Sequence, residues 1–170
     1  KDPGLYGVWN LGLDKSDTEF VCNSNVDDLR FNFATELLIE SLIDKEEILS
    51  YGDTYISKEP GVVLENKYSE HSNNNFSHEN MIKCLPGAMP VWKNKEFRFN
   101  ENYKYAGDWE MWLRMVREGN KFVKIKLPTG VYYNNVNGLS TSEKFQKERF
   151  LEEKEIFERY KDVYPNNYEI

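Results

Sequence analysis

Helix-like and strand-like runs alternate over the first 57 residues, and this alternation limits the fold more than any other feature. "DPGLYGVWNLGLDKSD" carries Leu5, Val8, Trp9, Leu11 and Leu13 at helical spacing, with Asp2 as N-cap and Pro3 at the first position. "TEFVCN" (18–23) reads as a buried strand. "FATELLIESLI" (33–43) reads as a helix with Leu37, Leu38, Ser41 and Leu42 on one side, and "EEILSYGDTYIS" (46–57) as a second strand. Helix, strand, loop, helix, strand is an α/β layout, in which neighbouring strands tend to run parallel.

The middle of the chain breaks the pattern. "EHSNNNFSHEN" (70–80) is polar and aperiodic, so a loop is expected there, with His71 and His78 facing solvent. "CLPGAMPVW" (84–92) holds two prolines and a glycine and cannot be regular for long. "DWEMWLRMVRE" (108–118) then sets Trp109, Trp112, Leu113 and Val116 at i, i+3, i+4, i+7. That is an amphipathic helix, closed by Gly119 as its C′ residue. "FVKIK" and "GVYYNN" predict two short strands separated by Pro128 and Gly130. The run from Thr141 to Asp162 predicts a long charged helix that turns Phe145, Phe150, Ile156 and Phe157 to the core.

A chain of 170 residues suits one domain. Its net charge of −7 comes with acidic and basic residues interleaved and no Lys/Arg cluster, which argues against nucleic-acid partners. Cys22 and Cys84 lack metal-ligand spacing and read as reduced, buried thiols. No long apolar run and no signal peptide is visible, so a cytoplasmic location is expected, with peripheral attachment to a membrane as its variant. Asn75-Phe76-Ser77 matches a glycosylation acceptor but has no secretory context. The first residue is Lys1 and not Met, so a piece of a longer protein is expected.

"VCNSNVDDLRF" (21–31) ends a strand in Asn25, Asp27 and Asp28. In α/β sheets ligands bind beyond the carboxyl ends of strands. Mg²⁺ and Mn²⁺ take oxygen ligands, often one or two protein carboxylates completed by phosphate and water. Metal binding is one reading of this loop; Asp27 or Asp28 capping the following helix is the other. A calcium loop is excluded, because Asp28 stands where a glycine is required and Ala34 where a glutamate is required. Asp108 opens a strong helix and reads as an N-cap, or as a general base whose pKa is raised by Trp109 and nearby tyrosines. No nucleophile elbow and no Gly-rich phosphate loop is present.

Three segments in this order, "LYGVWNLGLDKSDTEFVCNSNVDD", "KCLPGAMPVWKNKEFRFNENYKYAGDWEMWLRMVREGNKFVKI" and "GVYYNNVNGLSTS", resemble family 2 glycosyltransferases of the GT-A fold, from residue 4 to about residue 142. The resemblance implies a mixed sheet flanked by helices that lacks the N-terminal nucleoside-binding part. It divides one domain into a metal and donor side (1–69), a polar loop (70–83), an acceptor side (84–140) and a C-terminal helix and tail (141–170). It implies transfer of a hexose-type sugar, with inversion, from a nucleoside diphosphate to the hydroxyl of a glycan or other acceptor. Asp28 with Asp27 and Asn25 would hold Mn²⁺ or Mg²⁺ and the diphosphate, with Asn25 standing where the family's longer pattern has Asp. Asp108 would be the base, and Trp109 and Glu110 would shape the acceptor side. Asn134, Asn135 and Ser140 would meet donor or acceptor. The shortened sheet would expose an edge that a second copy of the chain can cover. Two other readings stand beside the enzyme: a non-catalytic glycan- or nucleotide-binding remnant, and an interaction module of the same fold.

Overall fold

The structure, a computed structural model, describes residues 3–60 and 89–163. The expected loop at 70–83, both histidines, Asn75, Cys84 and the Asp2 cap lie outside the described residues.

The first helix, α1 (Gly4–Lys15), begins one residue later than its sequence suggests, with Pro3 as the N-cap. A short strand β1 (Phe20–Cys22) follows, then β2 (Leu29–Arg30) and helix α2 (Ala34–Glu40). Strand β3 (Leu49–Ser57) and strand β4 (Val91–Lys93) precede helix α3 (Gly107–Arg117). Strand β5 (Phe122–Tyr133), a 3₁₀ turn (Glu143–Phe145) and helix α4 (Gln146–Tyr160) complete the order. The strands form one mixed sheet in the order β1-β4-β3-β5-β2. Among the described residues only β3 and β5 pair in parallel; β4 and β2 run against their neighbours. The fold is therefore mixed α/β, a five-stranded sheet flanked by helices.

Several expectations change, among them the buried strand read at 18–23, which is β1 and is at most half-buried. Pro128 and Gly130 do not divide β5 into two strands. The chain stays extended through them because the β3–β5 register slips between Tyr51 and Thr54, which absorbs the missing proline N–H. Cys22 is exposed, since β1 is an edge strand, and so is not the buried thiol expected.

The core is aromatic where the helices meet the sheet. Trp92 of β4 stands edge-on to Trp112 of α3 with ring centres 5.4 Å apart, and Phe99 packs on Trp9 at 5.1 Å and on Tyr6 at 5.5 Å. The stripe read for α3 is buried at Trp109, Trp112 and Leu113. The helix stops as expected. Gly119 takes φ +84°, Gly119 N–H donates to the Val116 carbonyl (2.8 Å) and Asn120 N–H to the Met115 carbonyl (3.1 Å), a Schellman ending. On α4, Ile156 and Phe157 are buried, but Phe150 is exposed: the face of the helix that meets α3 does not include it.

Phe99 lies in no strand, so its backbone needs other partners. Asn10 supplies them: its Nδ2 donates to the Phe99 carbonyl (2.8 Å) and its Oδ1 accepts from the Phe99 N–H (2.8 Å), inside the core. Asn10→Leu leaves both backbone groups buried without a partner, which costs about 2–4 kcal/mol. The urea midpoint of the variant should fall accordingly; an unchanged midpoint would mean that the clasp contributes nothing.

Candidate functional site

β1 and β2 occupy opposite edges of the sheet, yet only residues 23–28 join them. Crossing the sheet means four inter-strand spacings, roughly 19 Å. The chain from Cys22 to Leu29 reaches at most about 25 Å when fully extended. The acidic loop thus crosses the sheet in a short span, bent at residues 26–28.

Its far end is tied down. Asp28 Oδ1 accepts from the Tyr133 N–H at the end of β5 (2.9 Å), and Asp28 Oδ2 accepts from Asn25 Nδ2 (2.8 Å). Burial raises the Asp28 pKa, the two hydrogen bonds oppose this, and the Asp27 charge adds to it. Asp27 itself is exposed. Neither carboxylate caps the next helix: β2 intervenes, and α2 begins behind Phe33 with no side-chain cap.

Asp108 lies in the first turn of α3. Its Oδ1 accepts from its neighbour's N–H (Trp109, 2.9 Å) and from the Tyr6 hydroxyl (3.3 Å). Tyr6 reaches it because Gly107 has no side chain: a Cβ there would lie 2.7 Å from the Tyr6 ring. Burial raises the Asp108 pKa, and the Glu152 carboxylate pushes it further in the same direction. Glu152, from α4, gathers the N–H groups of Lys104 (2.8 Å), Tyr105 (2.7 Å) and Ala106 (2.7 Å), and so holds the entry to α3.

Tyr132 lies in the last residues of β5, beside the Tyr133 N–H that holds Asp28. Its hydroxyl pairs with Ser140 Oγ at 3.0 Å. Burial raises the phenol pKa, and the charges of Asp28, Asp27 and Asp108 all add to the rise. One side chain is therefore within electrostatic reach of all three carboxylates.

The other residues singled out by sequence are placed as follows. Trp109 is buried in the core. Glu110 is 2% exposed, with its carboxylate on Arg114 Nε (3.1 Å) and on the Tyr160 hydroxyl, so it joins α3 to α4. Asn134 donates its N–H to the Ser57 carbonyl (2.8 Å) and has an exposed side chain. Asn135 Oδ1 accepts from the Asn137 N–H (3.0 Å), which closes the turn after β5. That turn borders an open hollow of about 510 Å³ lined by Asn134, Val136, Asn137, Thr141, Ser142 and Glu143; Asp28 and Asp108 are not among its walls.

Among the described residues no group of three or more His, Cys, Asp or Glu side chains could hold a metal. The acidic loop instead fits a cation held by one or two carboxylates and, for the rest, by its own ligand. Asp27 is exposed, and each Asp28 oxygen keeps lone-pair capacity beyond its one hydrogen bond.

Sequence reasoning missed Tyr6, Glu152, Tyr132 and Arg30. Arg30 follows Asp28 by two residues and braces the start of the loop through a 3.2 Å bond from Nη2 to the Asn23 carbonyl. Its Nη1 is buried without a hydrogen-bond partner, and burial lowers its pKa. No signal in the sequence pairs Tyr132 with Ser140 or Glu152 with residues 104–106. No family model matches the chain, and no curated protein matches it significantly.

The raised Asp108 pKa carries a stability consequence. The folded state holds this proton more tightly than the unfolded chain, so ionisation at neutral pH weakens the fold. Asp108→Asn should be more stable than the parent at neutral pH. The advantage should shrink as pH falls through the window between the raised value and the ordinary aspartate value of about 3.9. Denaturant midpoints at neutral pH and at about pH 3 test this; a variant less stable at neutral pH would refute the burial account of Asp108.

Proposed function

We propose that the chain is the metal- and acceptor-binding part of an inverting glycosyltransferase of GT-A type, acting in the cytoplasm on a nucleoside diphosphate sugar. One observation carries the reading: beyond β1, Asp28 is fixed by the Tyr133 N–H and Asn25 while Asp27 beside it stays exposed, an oxygen-rich loop end suited to a cation and a diphosphate. Asp108, half-buried in the first turn of α3, is the second acidic group. The mixed α/β sheet and the order of the three motif segments agree with the reading.

In this reading Asp108 takes the proton of the acceptor hydroxyl as that oxygen attacks the anomeric carbon and the diphosphate departs. Burial raises its pKa, the direction in which a carboxylate becomes a stronger base. Asp28, with Asp27 beside it, would hold Mn²⁺ or Mg²⁺, which would supply positive charge for the departing diphosphate. Asn25 holds Asp28 in place for that task. The acceptor is a glycan or another polyol. A second copy of the chain at the exposed β1 edge is the partner this reading allows.

A non-catalytic nucleotide-binding role is the second reading, favoured by the engagement of both Asp28 oxygens. Titration calorimetry of UDP and GDP, with and without Mn²⁺, tests the donor half. Asp28→Ala should lose the metal-dependent part of the binding. Asp108→Asn should keep nucleotide binding while transfer or donor hydrolysis falls about 10²–10⁴-fold. Nucleotide binding with no turnover in the parent chain would favour the second reading. No nucleotide binding under any condition would refute both.

A further inference from the structure

Arg30 has no part in the mechanism above, yet its guanidinium is a charge taken out of water with too few partners. Among the described residues it makes one hydrogen bond, from Nη2 to the Asn23 carbonyl at 3.2 Å, while Nη1 is buried without an acceptor. A guanidinium carries five N–H donors, and its fork matches the paired oxygens of a carboxylate or phosphate. Burial lowers its pKa, as expected of a cation that loses water and gains no counter-charge. A buried charged donor left unbonded is costly, so it calls for a reason.

Its place in the chain supplies one. Arg30 is rooted in β2, opposite Gly130 of β5 and two residues beyond Asp28. Its head returns to Asn23, the first residue after β1. The side chain therefore bridges the two ends of the acidic loop and lies in contact with it. Arg30 is half-buried, so part of the side chain still meets solvent. Giving up the single Asn23 bond frees the head to turn Nη1 toward a ligand on the loop.

The loop's own charges decide which ligand that is. A bare phosphate or carboxylate meets Asp27 and Asp28 as well as Arg30, and two like charges outweigh one opposite charge. A diphosphate chelated to a divalent cation presents both signs: the cation turns to the carboxylates, and the remaining oxygens turn to the guanidinium. Arginine suits this better than lysine, because its planar fork meets two phosphate oxygens at once.

We propose that Arg30 is a diphosphate-binding residue, whose unbonded guanidinium N–H groups take the oxygens of a cation–diphosphate complex held on the Asp27–Asp28 loop. The inference rests on the glycosyl-transfer reading for its metal and donor, and adds to it a positive charge belonging to the chain itself.

The test is titration of Mn²⁺ alone, and of inorganic pyrophosphate, UDP and GDP with Mn²⁺, into the parent chain, Arg30→Met and Arg30→Lys. Losing hydrogen bonds to a charged group predicts roughly ten- to hundredfold weaker binding of the three diphosphates by Arg30→Met. Arg30→Lys keeps the charge without the fork and should fall between the two; it carries the test if Arg30→Met does not fold. Mn²⁺ alone should bind Arg30→Met at least as well as the parent, and the melting temperature should not fall, because the substitution removes an unpartnered charge. Parent-like affinity for the diphosphates in Arg30→Met overturns the proposal and leaves the glycosyl-transfer reading intact. Weaker Mn²⁺ binding with a lowered melting temperature also overturns it, since Arg30 then only braces the loop. A loss confined to UDP and GDP overturns it too, because the contact is then not to the diphosphate. Arg30-dependent binding of pyrophosphate with no binding of either nucleotide sustains the role of Arg30 and overturns the glycosyl-transfer reading. No binding of any diphosphate by the parent overturns both.

Discussion

The sheet order obliges residues 23–28 to cross from one edge of the sheet to the other, and the position of every acidic group in the loop depends on that crossing. A crossing of roughly 19 Å by so short a segment limits the conformations open to it. The Asp28–Tyr133 hydrogen bond fixes the end of the crossing, so the carboxylates are located by how far β5 extends. That length depends in turn on the continuation of β5 through Pro128, which the register slip against β3 permits. A shorter β5 would remove the anchoring N–H and the phenol beside it together. The irregularity in the sheet is thus what allows the loop to be held.

The helical side is held by different means. Asp108 is fixed by Tyr6, whose ring lies over Gly107, by the Trp109 N–H of the first turn, and by Glu152 of α4, which grips the N–H groups of residues 104–106. α4 is secured to α3 again about two turns beyond Glu152, where Tyr160 bonds Glu110. The base candidate therefore depends on a helix about 40 residues later in the chain. Precise placement of a carboxylate from several elements is what a reacting group requires, and a simple N-cap does not need it.

How much of this was legible depended on whether the signal was local. The α3 stripe of Trp109, Trp112 and Leu113 and the Gly119 ending follow from helical period and φ alone, and both are present. Ile156 and Phe157 were readable as core, but Phe150 was not separable from them, because the width of the buried face depends on what packs there. Pro128 read as a break since local chemistry says so; only the register of a distant strand makes it tolerable. Glu110 and Arg114 are four apart on one helix, a visible ion-pair spacing, but the buried Tyr160 that completes the contact is not. The adjacent Asp27 and Asp28 drew attention as a pair, whereas their different burial, one exposed and one half-buried, arises from the crossing and from β5.

The electrostatics of the two acidic sets have one direction. Asp28 and Asp108 are both held above the ordinary carboxylate range, chiefly by burial, and each lies beside another acid that adds to the effect. Among the described residues Arg30 is nearest in sequence to the loop, yet its contact is to the Asn23 carbonyl and not to a carboxylate. Negative charge is thus gathered and left without a matching cation, at a cost to stability near neutral pH. A fold does not need such an arrangement, because replacing either acid by a neutral isostere would relieve the strain. Positive charge brought by a ligand relieves it too, and it does so more strongly where water is partly excluded. The stability given up in the free chain is returned as binding energy when a cation or a proton arrives. In the proposed glycosyl-transfer reading, that exchange ties Asp28 to cation binding and Asp108 to proton transfer.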